Sequence, residues 1–202
     1  GWQTADEYLS GNVRQKLRTA QRVAAHDPFF AGNVDALIAA QPKDLEASEI
    51  EVRLGATWLD KKYIEQFMYE TFETPRYLRG QIEISYVPYT AEWQVSRKSM
   101  VRYNDVAAFT TYGTDRASAY RLLEDALNLR DIRIYDTIED ADGRERRVLN
   151  AKETTLAAQK QQLIRDAFKD WIWKDPERRE TLVRQYNEEM NSTRPREYDG
   201  SP

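Results

Sequence analysis

The spacing of apolar residues changes twice along this chain, and this change limits the possible fold more than any other feature of the sequence. Apolar positions recur at helical intervals over 1–75, alternate over 76–150, and return to helical intervals over 151–190. Helices and hairpins that are segregated along a chain are typical of α+β proteins. We therefore predict a mostly helical α+β fold, with small antiparallel hairpins in the middle and a long C-terminal helical pair.

The N-terminal part carries clear helix start signals. Thr4 and Glu7 have the spacing of a capping box, and Asn12, Asp27 and Asp60 each precede a helical pattern. The apolar positions expected to face the core here are Val13, Leu17, Ala20, Ala24, Phe30, Val34, Leu37, Ile38, Ile64, Phe67, Met68 and Phe72. Pro75 is expected to prevent the helix of Ile64 and Phe72 from continuing.

The middle part is expected to form hairpins around one embedded helix. The predicted elements are a hairpin of Ile82–Tyr86 with Trp93–Val95, a strand Val106–Tyr112, a helix entered through Gly113 and Thr114, and a second hairpin from Ile132 and Ile134 through the Asp142-Gly143 turn to Val148 and Leu149. The embedded helix is expected to turn inward Ala119, Tyr120, Leu123, Ala126 and Leu127.

The C-terminal part reads as two helices and a tail. A long stripe is expected to be buried: Leu156, Leu163, Ile164, Ala167, Phe168, Trp171 and Ile172. Asp175-Pro176 then opens a final helix, and 191–202 has no periodicity and is predicted as a linker. We expect 1–75, 76–150 and 151–190 to pack as one compact domain.

Composition excludes several classes of function. The chain has 202 residues and no cysteine, which excludes disulfides, cysteine–zinc sites and a cysteine nucleophile and fits a reducing cytoplasm. No apolar run is long enough for a membrane span, so we expect a cytoplasmic protein without a membrane partner. The formal net charge is −4, so any contact with DNA requires a local basic patch.

The sequence lacks the common enzyme motifs, so we expect a chain without an active site of its own. Neither a phosphate-binding loop nor a dinucleotide fingerprint occurs, so we expect no cofactor in this chain. The lone His26 has no cysteine or second histidine with which to share a metal. The acidic clusters lack calcium-loop spacing and are expected to be solvated: Glu46, Glu49 and Glu51, and Asp136, Glu139, Asp140 and Asp142.

One stretch of basic residues suggests contact with nucleic acid. The candidate DNA-binding residues are Arg97, Lys98, Arg102, Gly113, Thr114, Arg116 and Arg121, with Tyr103 beside them. Gly113 and Thr114 would offer backbone N–H groups to a phosphate at the start of the next helix. The alternative is an ordinary solvated face, because arginine and lysine are mostly exposed in any protein.

Two tryptophans near the C-terminus differ in their expected roles. Trp171 falls on the buried stripe and is expected in the core, whereas Trp173 lies off it. Exposed aromatic side chains often mark contact surfaces, so Trp173 is a candidate interface residue.

Several segments together resemble part of a known class of polypeptide. They are Tyr8–Leu17, Gln41–Leu45, Ile50–Trp58, Tyr112–Arg116, Trp171–Arg179 and Arg194–Ser201. They resemble the region between the two enzymes in large fusions of a DNA adenine methylase with a Swi/Snf-like superfamily 2 helicase. Such fusions are carried by phages, plasmids and conjugative elements, and some are described as antirestriction proteins. The resemblance runs from about Thr4 to Ser201.

The resemblance implies DNA as the substrate of the parent polypeptide, in a bacterial or phage-infected cell. ATP and S-adenosylmethionine would then serve the neighbouring helicase and methylase domains, which become intramolecular partners. The tail would lead into the helicase. None of the matching segments is a catalytic motif, so no catalytic residue transfers to this chain.

Three functions therefore remain open from the sequence. The chain is either a DNA-binding module that positions DNA for its neighbours, or a connector that docks helicase against methylase, or an unrecognised hydrolase or nuclease. Salt-sensitive DNA binding would favour the first, an exposed apolar patch the second, and a pocket with clustered carboxylates the third.

Overall fold

A computed structural model describes residues 3–197 of the chain. Its α-helices are α1 (Ala5–Tyr8), α2 (Val13–Ala24), α3 (Ala31–Ala39), α4 (Lys61–Thr71), α5 (Ala119–Leu127), α6 (Ala151–Lys174) and α7 (Pro176–Glu189). Its strands are β1 (Gly11–Asn12), β2 (Ile84–Val87), β3 (Glu92–Val95), β4 (Tyr135–Glu139), β5 (Glu145–Leu149) and β6 (Thr193–Arg194). They form the antiparallel pairs β1–β6, β2–β3 and β4–β5. About 52% of the described residues are helical, which confirms the α+β class.

The chain forms two compact units. Unit 1 takes the described residues up to Glu51 and from Pro176 onwards, and unit 2 is the continuous segment Val52–Asp175. Unit 1 therefore draws its helices from both ends of the chain, while unit 2 holds α4 to α6 and the hairpins β2–β3 and β4–β5.

The core of unit 1 is small and lies between α2 and α3. Val13, Ala20 and Leu37 are buried there, and Tyr8, Leu9, Leu17 and Val34 pack around them. The Asn12 side chain accepts the N–H of Gln15 at 3.0 Å and so caps α2 as its sequence predicts. Ile38 is exposed instead of buried because α3 is short and turns only Leu37 fully inward.

The two ends of unit 1 meet in the pair β1–β6. Gly11 lies opposite Arg194, and Arg196 forms a 2.6 Å ion pair with Asp6. Hydrogen bonds from Thr4 and then Arg196 lower the pKa of Asp6 to about 2. Part of the predicted linker 191–202 is thus paired with the N-terminal segment, and residues 198–202 lie outside the described residues.

A buried asparagine ties α7 to the segment after α3. The Asn187 amide donates to the carbonyls of Leu45 (2.9 Å) and Val183 (3.0 Å), and its oxygen accepts the Leu45 N–H at 2.8 Å. The amide of Asn191 also donates to the Asn187 oxygen. Every polar atom of the side chain is therefore satisfied, which is the condition for burying it without a large penalty.

The core of unit 2 is built around aromatic rings on α4, α5 and α6. Phe67, Phe72, Tyr120 and Phe168 are fully buried, and their rings meet edge to face at centroid distances of 5.1–6.1 Å. Asp60 caps α4 by accepting the N–H of Lys62 at 2.9 Å. The apolar face predicted for α4 is therefore confirmed.

The buried face of α6 differs from the predicted stripe. The positions that the structure buries are Ala157, Gln161, Ile164, Phe168 and Ile172. Leu156 and Leu163 are 40% and 44% exposed, so their predicted burial is wrong. Gln161 takes the inward place because its amide donates to the carbonyls of Leu122 (3.3 Å) and Arg130 (3.1 Å), which satisfies this buried polar group.

The predicted strand Val106–Tyr112 is wrong. Residues Ala107–Thr111 form one turn of π-helix, in which Ala107 and Ala108 are both buried. Adjacent buried residues suit a helical turn and not the alternation of a strand. The Asp105 carboxylate accepts the N–H of Ala108 at 2.9 Å and so stabilises the start of this turn.

The hairpin β4–β5 is exposed along nearly its whole length. Ile132 and Ile134 were expected to begin its first strand, but they are buried ahead of it and pairing starts at Tyr135. Ile138, Val148 and Leu149 are exposed apolar residues on this hairpin. Asp142-Gly143 forms the predicted turn, with Gly143 at a φ of +75°.

Leu129 is expected to destabilise the protein at the end of α5. It adopts the left-handed region, with φ +56°, and Arg130 N–H bonds back to Asp125 O at 2.8 Å as in a Schellman motif. A side chain there costs about 1–2 kcal/mol, so Leu129→Gly should raise the free energy of unfolding by about 1 kcal/mol after the added chain entropy of glycine. Urea denaturation followed by fluorescence would measure this. Leu129→Ala is the control, and a glycine variant no more stable than the alanine variant would contradict the prediction.

Candidate nucleic-acid interface

Three of the predicted basic residues lie together along α5 in unit 2. Arg121 stands in the first turn of this helix, and its Nη1 donates to the carbonyl of Arg116 at 3.3 Å. Lys98 reaches the same helix from the segment after β3, with its Nζ 2.6 Å from Glu124. We call Lys98, Arg116 and Arg121 the α5 face.

Two cations of the α5 face are held by carboxylates. Arg116 Nη1 lies 2.7 Å from Asp136, and Lys98 is paired with Glu124. Hydrogen bonds from Arg116 and then from Asn150 lower the pKa of Asp136, so this carboxylate stays charged and offsets the charge of Arg116. Both ion pairs are partly exposed, and such pairs contribute little to stability. An anion that binds the cation more strongly can therefore replace the carboxylate.

Arg121 and Arg102 are less constrained. Arg121 bonds only a carbonyl, although its charge acts to lower the pKa of Asp125, which burial raises overall. Arg102 is exposed, and within residues 3–197 its side chain makes no hydrogen bond or ion pair. Arg97 adopts a left-handed backbone at φ +50°, and its guanidinium donates to Gln81 at 3.4 Å.

An exposed aromatic ring lies beside the α5 face. Tyr103 is 72% exposed and stacks on Phe109, with 5.3 Å between ring centroids and 27° between planes. Its hydroxyl donates to the carbonyl of Asp115 at 3.4 Å. Asp115 and Arg116 are consecutive, with Cα atoms about 3.8 Å apart, so the Tyr103 hydroxyl and the Arg121 guanidinium lie within roughly 12 Å.

Gly113 and Thr114 do not form the predicted phosphate site. Helix α5 begins at Ala119 with Ser118 as its N-cap, so their predicted place at a helix N-terminus is wrong. Both residues are buried, and the Thr114 hydroxyl accepts the N–H groups of Arg116 (3.2 Å) and Ala117 (3.0 Å). Thr114 therefore shapes the turn that carries Arg116, and its own N–H donates to the carbonyl of Ala117 at 2.8 Å.

The candidate interface lies in a part of the chain that matches a family model. The model of the family described as Domain of unknown function (DUF8437) matches residues 53–192. The chain belongs to this family. No curated protein and no solved structure matches the chain.

The DUF8437 region includes the whole α5 face, Tyr103 and Phe109. It begins one residue after unit 2 starts at Val52, and it ends in unit 1 just after α7. It also contains Trp173, which is half-buried on α6 and takes part in contacts within the protein. Trp171 is half-buried too, and its Nε1 donates to Glu70 at 2.7 Å while its ring packs on Phe67.

Three clefts within residues 3–197 of this DUF8437 member are lined by none of the candidate DNA-binding residues. One of about 590 Å³ in unit 1 is lined by Tyr8, Leu9 and Phe30 among others. One of about 340 Å³ in unit 2 is lined by Lys61, Tyr86 and Trp93. One of about 570 Å³ lies beside the start of α7.

A metal-binding cluster and a membrane-spanning helix are both absent from residues 3–197. Within the described range no group of three or more histidine, cysteine or acidic side chains could hold a metal ion. His26 is exposed after the end of α2. In the same range, every helix is too short or too polar to traverse a bilayer.

Tyr103 was a candidate from the sequence, but its supporting ring, Phe109, was not. Phe109 follows Tyr103 by six residues inside a segment predicted as a strand, where the two side chains would not stack. The π-helical turn is what folds the chain back and brings the rings together. The Asp105 carboxylate, which accepts the N–H of Ala108, stabilises the start of this turn.

Proposed function

We propose that this chain is a non-catalytic accessory module that contacts DNA through the α5 face and Tyr103. The parent polypeptide would be of the helicase–adenine methylase type that the sequence resembles. The observation that carries the proposal is that Tyr103 and Arg121 donate hydrogen bonds to the carbonyls of two consecutive residues. These bonds put positive charge and an exposed ring on one surface. Arginine contacts to phosphates position a nucleic acid without reading its sequence.

Ion pairing on this surface is compatible with the proposal. Each phosphate contact releases counterions from DNA, and a phosphate can replace the exposed carboxylates that now hold Lys98 and Arg116. Arg102 and Arg121 need no such exchange, so they are expected to supply most of the affinity. The overall charge of −4 makes the contact local, because most of the surface repels DNA.

The test is DNA binding at several salt concentrations. Fluorescence anisotropy of labelled single-stranded and duplex DNA should show affinity that falls steeply with salt. The double variant Arg102→Gln/Arg121→Gln should weaken binding at least about tenfold and lower the slope of log affinity against log salt by about 1.4–1.8. The reason is the loss of two phosphate contacts.

A matched control separates a specific surface from overall charge. Arg76→Gln/Arg133→Gln removes the same charge from two exposed arginines of unit 2 outside the α5 face. It should change affinity less than about twofold. Equal losses in the two double variants would contradict the assigned surface, and absence of binding at low salt would contradict DNA binding altogether.

Exposed apolar side chains favour a second candidate function. Leu156 and Leu163 lie seven residues apart on one side of α6, and Ile138, Val148 and Leu149 are exposed on β4–β5. Such side chains suit a connector that docks helicase against methylase. If the chain binds no DNA, binding to separately produced helicase or methylase regions of the parent, lost on Leu156→Ser/Leu163→Ser, would support the connector.

A further inference from the structure

The ring of Tyr103 is held in place with one face covered and the other open. Phe109 stacks on it at 5.3 Å, and the hydroxyl donates to Asp115 O, yet 72% of the residue remains exposed. A side chain fixed at both its ring and its hydroxyl loses little conformational freedom when a ligand binds. This arrangement is that of a preorganised stacking surface.

The other two tyrosines of unit 2 with more than half of their surface exposed lack this arrangement. Tyr77 and Tyr89 are also largely exposed, but within residues 3–197 neither ring packs on another aromatic ring. Tyr89 projects from the turn between β2 and β3. The support of Tyr103 by Phe109 is therefore a local feature and not a general property of exposed rings in this unit.

The charges near Tyr103 select the kind of ligand. Arg102 precedes it with an uncommitted guanidinium, and Arg121 lies close by on α5. An open ring face next to arginines suits a flat aromatic group attached to a phosphate, which is a nucleotide. In a duplex both faces of each base are covered by its neighbours, so this ring can stack only on an unpaired base.

We infer that Tyr103 is a stacking platform for an unpaired base, so that the module binds single-stranded DNA in preference to duplex. Arg102 and Arg121 then hold the adjoining phosphates, and the π-helical turn Ala107–Thr111 fixes Phe109 beneath the platform. This inference rests on the proposed DNA contact and adds the form of DNA that is recognised.

The first test compares strand forms. Tyr103→Ala should weaken binding of a labelled oligothymidine by about 5- to 150-fold, the range for loss of one stacked base, and change duplex affinity by less than about twofold. Tyr103→Trp should keep single-strand affinity, because it restores a ring. Tyr89→Ala, which removes a more exposed but unsupported ring, should leave both affinities unchanged. Circular dichroism of each variant verifies folding.

The second test locates the contact directly. An oligonucleotide carrying iodouracil, irradiated in complex with the full chain, should crosslink to the peptide containing Tyr103, and the crosslink should disappear in Tyr103→Ala. Unchanged single-strand affinity in Tyr103→Ala, or an equal loss on duplex, overturns the platform while leaving the arginine contacts intact. Absence of all DNA binding overturns both the platform and the proposed function.

Discussion

Replacing Gly113 with alanine is expected to lower the free energy of unfolding by at least about 3 kcal/mol. A Cβ at this position would lie 2.0 Å from the carbonyl oxygen of Ala108, 2.8 Å from the nitrogen of Ala119 and 2.9 Å from the oxygen of Ala117. All three are backbone atoms, so no side chain can rotate away. The π-helical turn and the start of α5 would have to separate, and both carry the candidate interface.

Urea denaturation followed by tryptophan fluorescence would measure this loss. Trp58, Trp93, Trp171 and Trp173 all belong to unit 2, so fluorescence mainly follows the unit that contains Gly113. Gly32→Ala is the control, because its Cβ meets nothing within 4 Å on the exposed side of α3. Since Gly32 lies in unit 1, its effect is followed by circular dichroism, which reports the helices of both units. This variant should be neutral or stabilising by up to about 1 kcal/mol. A Gly113→Ala variant as stable as the parent would show that the turn is loose.

Phe67→Ala is expected to lower the free energy of unfolding by about 3–5 kcal/mol. Phe67 is fully buried on α4, and its ring meets Phe168 at 5.1 Å, Trp171 at 5.7 Å and Phe72 at 6.1 Å. Truncation leaves a cavity and removes three ring contacts that each contribute about 0.5–1.5 kcal/mol beyond burial. The same denaturation measures the loss, and the emission of Trp171 should also change.

Phe29→Ala provides the comparison for Phe67→Ala. Phe29 is 81% exposed in unit 1, so its removal should change stability by less than about 0.5 kcal/mol. Phe67→Leu keeps most of the buried area and should lose less than half as much as the alanine variant. A loss below about 1 kcal/mol for Phe67→Ala would mean that the aromatic rings are not closely packed.

The helices of this fold were predictable where local signals agree with burial. Asn12 caps α2 and Asp60 caps α4, and the apolar positions predicted for α4 all lie in the core. The α+β class followed from the change of apolar spacing, because hairpin and helix need different periods. The β2–β3 hairpin formed around its predicted turn for the same reason.

The errors in predicting which residues of α6 are buried arose where contacts with residues distant in sequence override the local spacing of apolar residues. Gln161 is polar yet buried, since the carbonyls it bonds belong to Leu122 and Arg130, far away in sequence. Leu156 and Leu163 are apolar yet exposed, because α6 turns another face towards the core. No spacing rule along α6 alone contains this information.

The candidate interface was only partly accessible from the sequence. The basic residues could be identified from the sequence, but their carboxylate partners could not. Lys98 and Arg116 each form an ion pair with a carboxylate in the structure. Glycine before a helix suggested a phosphate site, whereas the structure uses Gly113 for a close backbone approach. The supporting ring of Phe109 depends on a π-helical turn, which has no established sequence pattern.

The β1–β6 pair gives unit 1 a particular response to mechanical load. Gly11 faces Arg194 and Asn12 faces Thr193, while Asp6 and Arg196 form an ion pair just outside the ladder. Tension applied through the two flanking segments would pass across this contact and bypass the residues between them. Because both flanks leave from the same end of the ladder, the load separates its residue pairs one at a time. A load on the two flanking segments would therefore reach this ladder before it reaches the residues between β1 and β6.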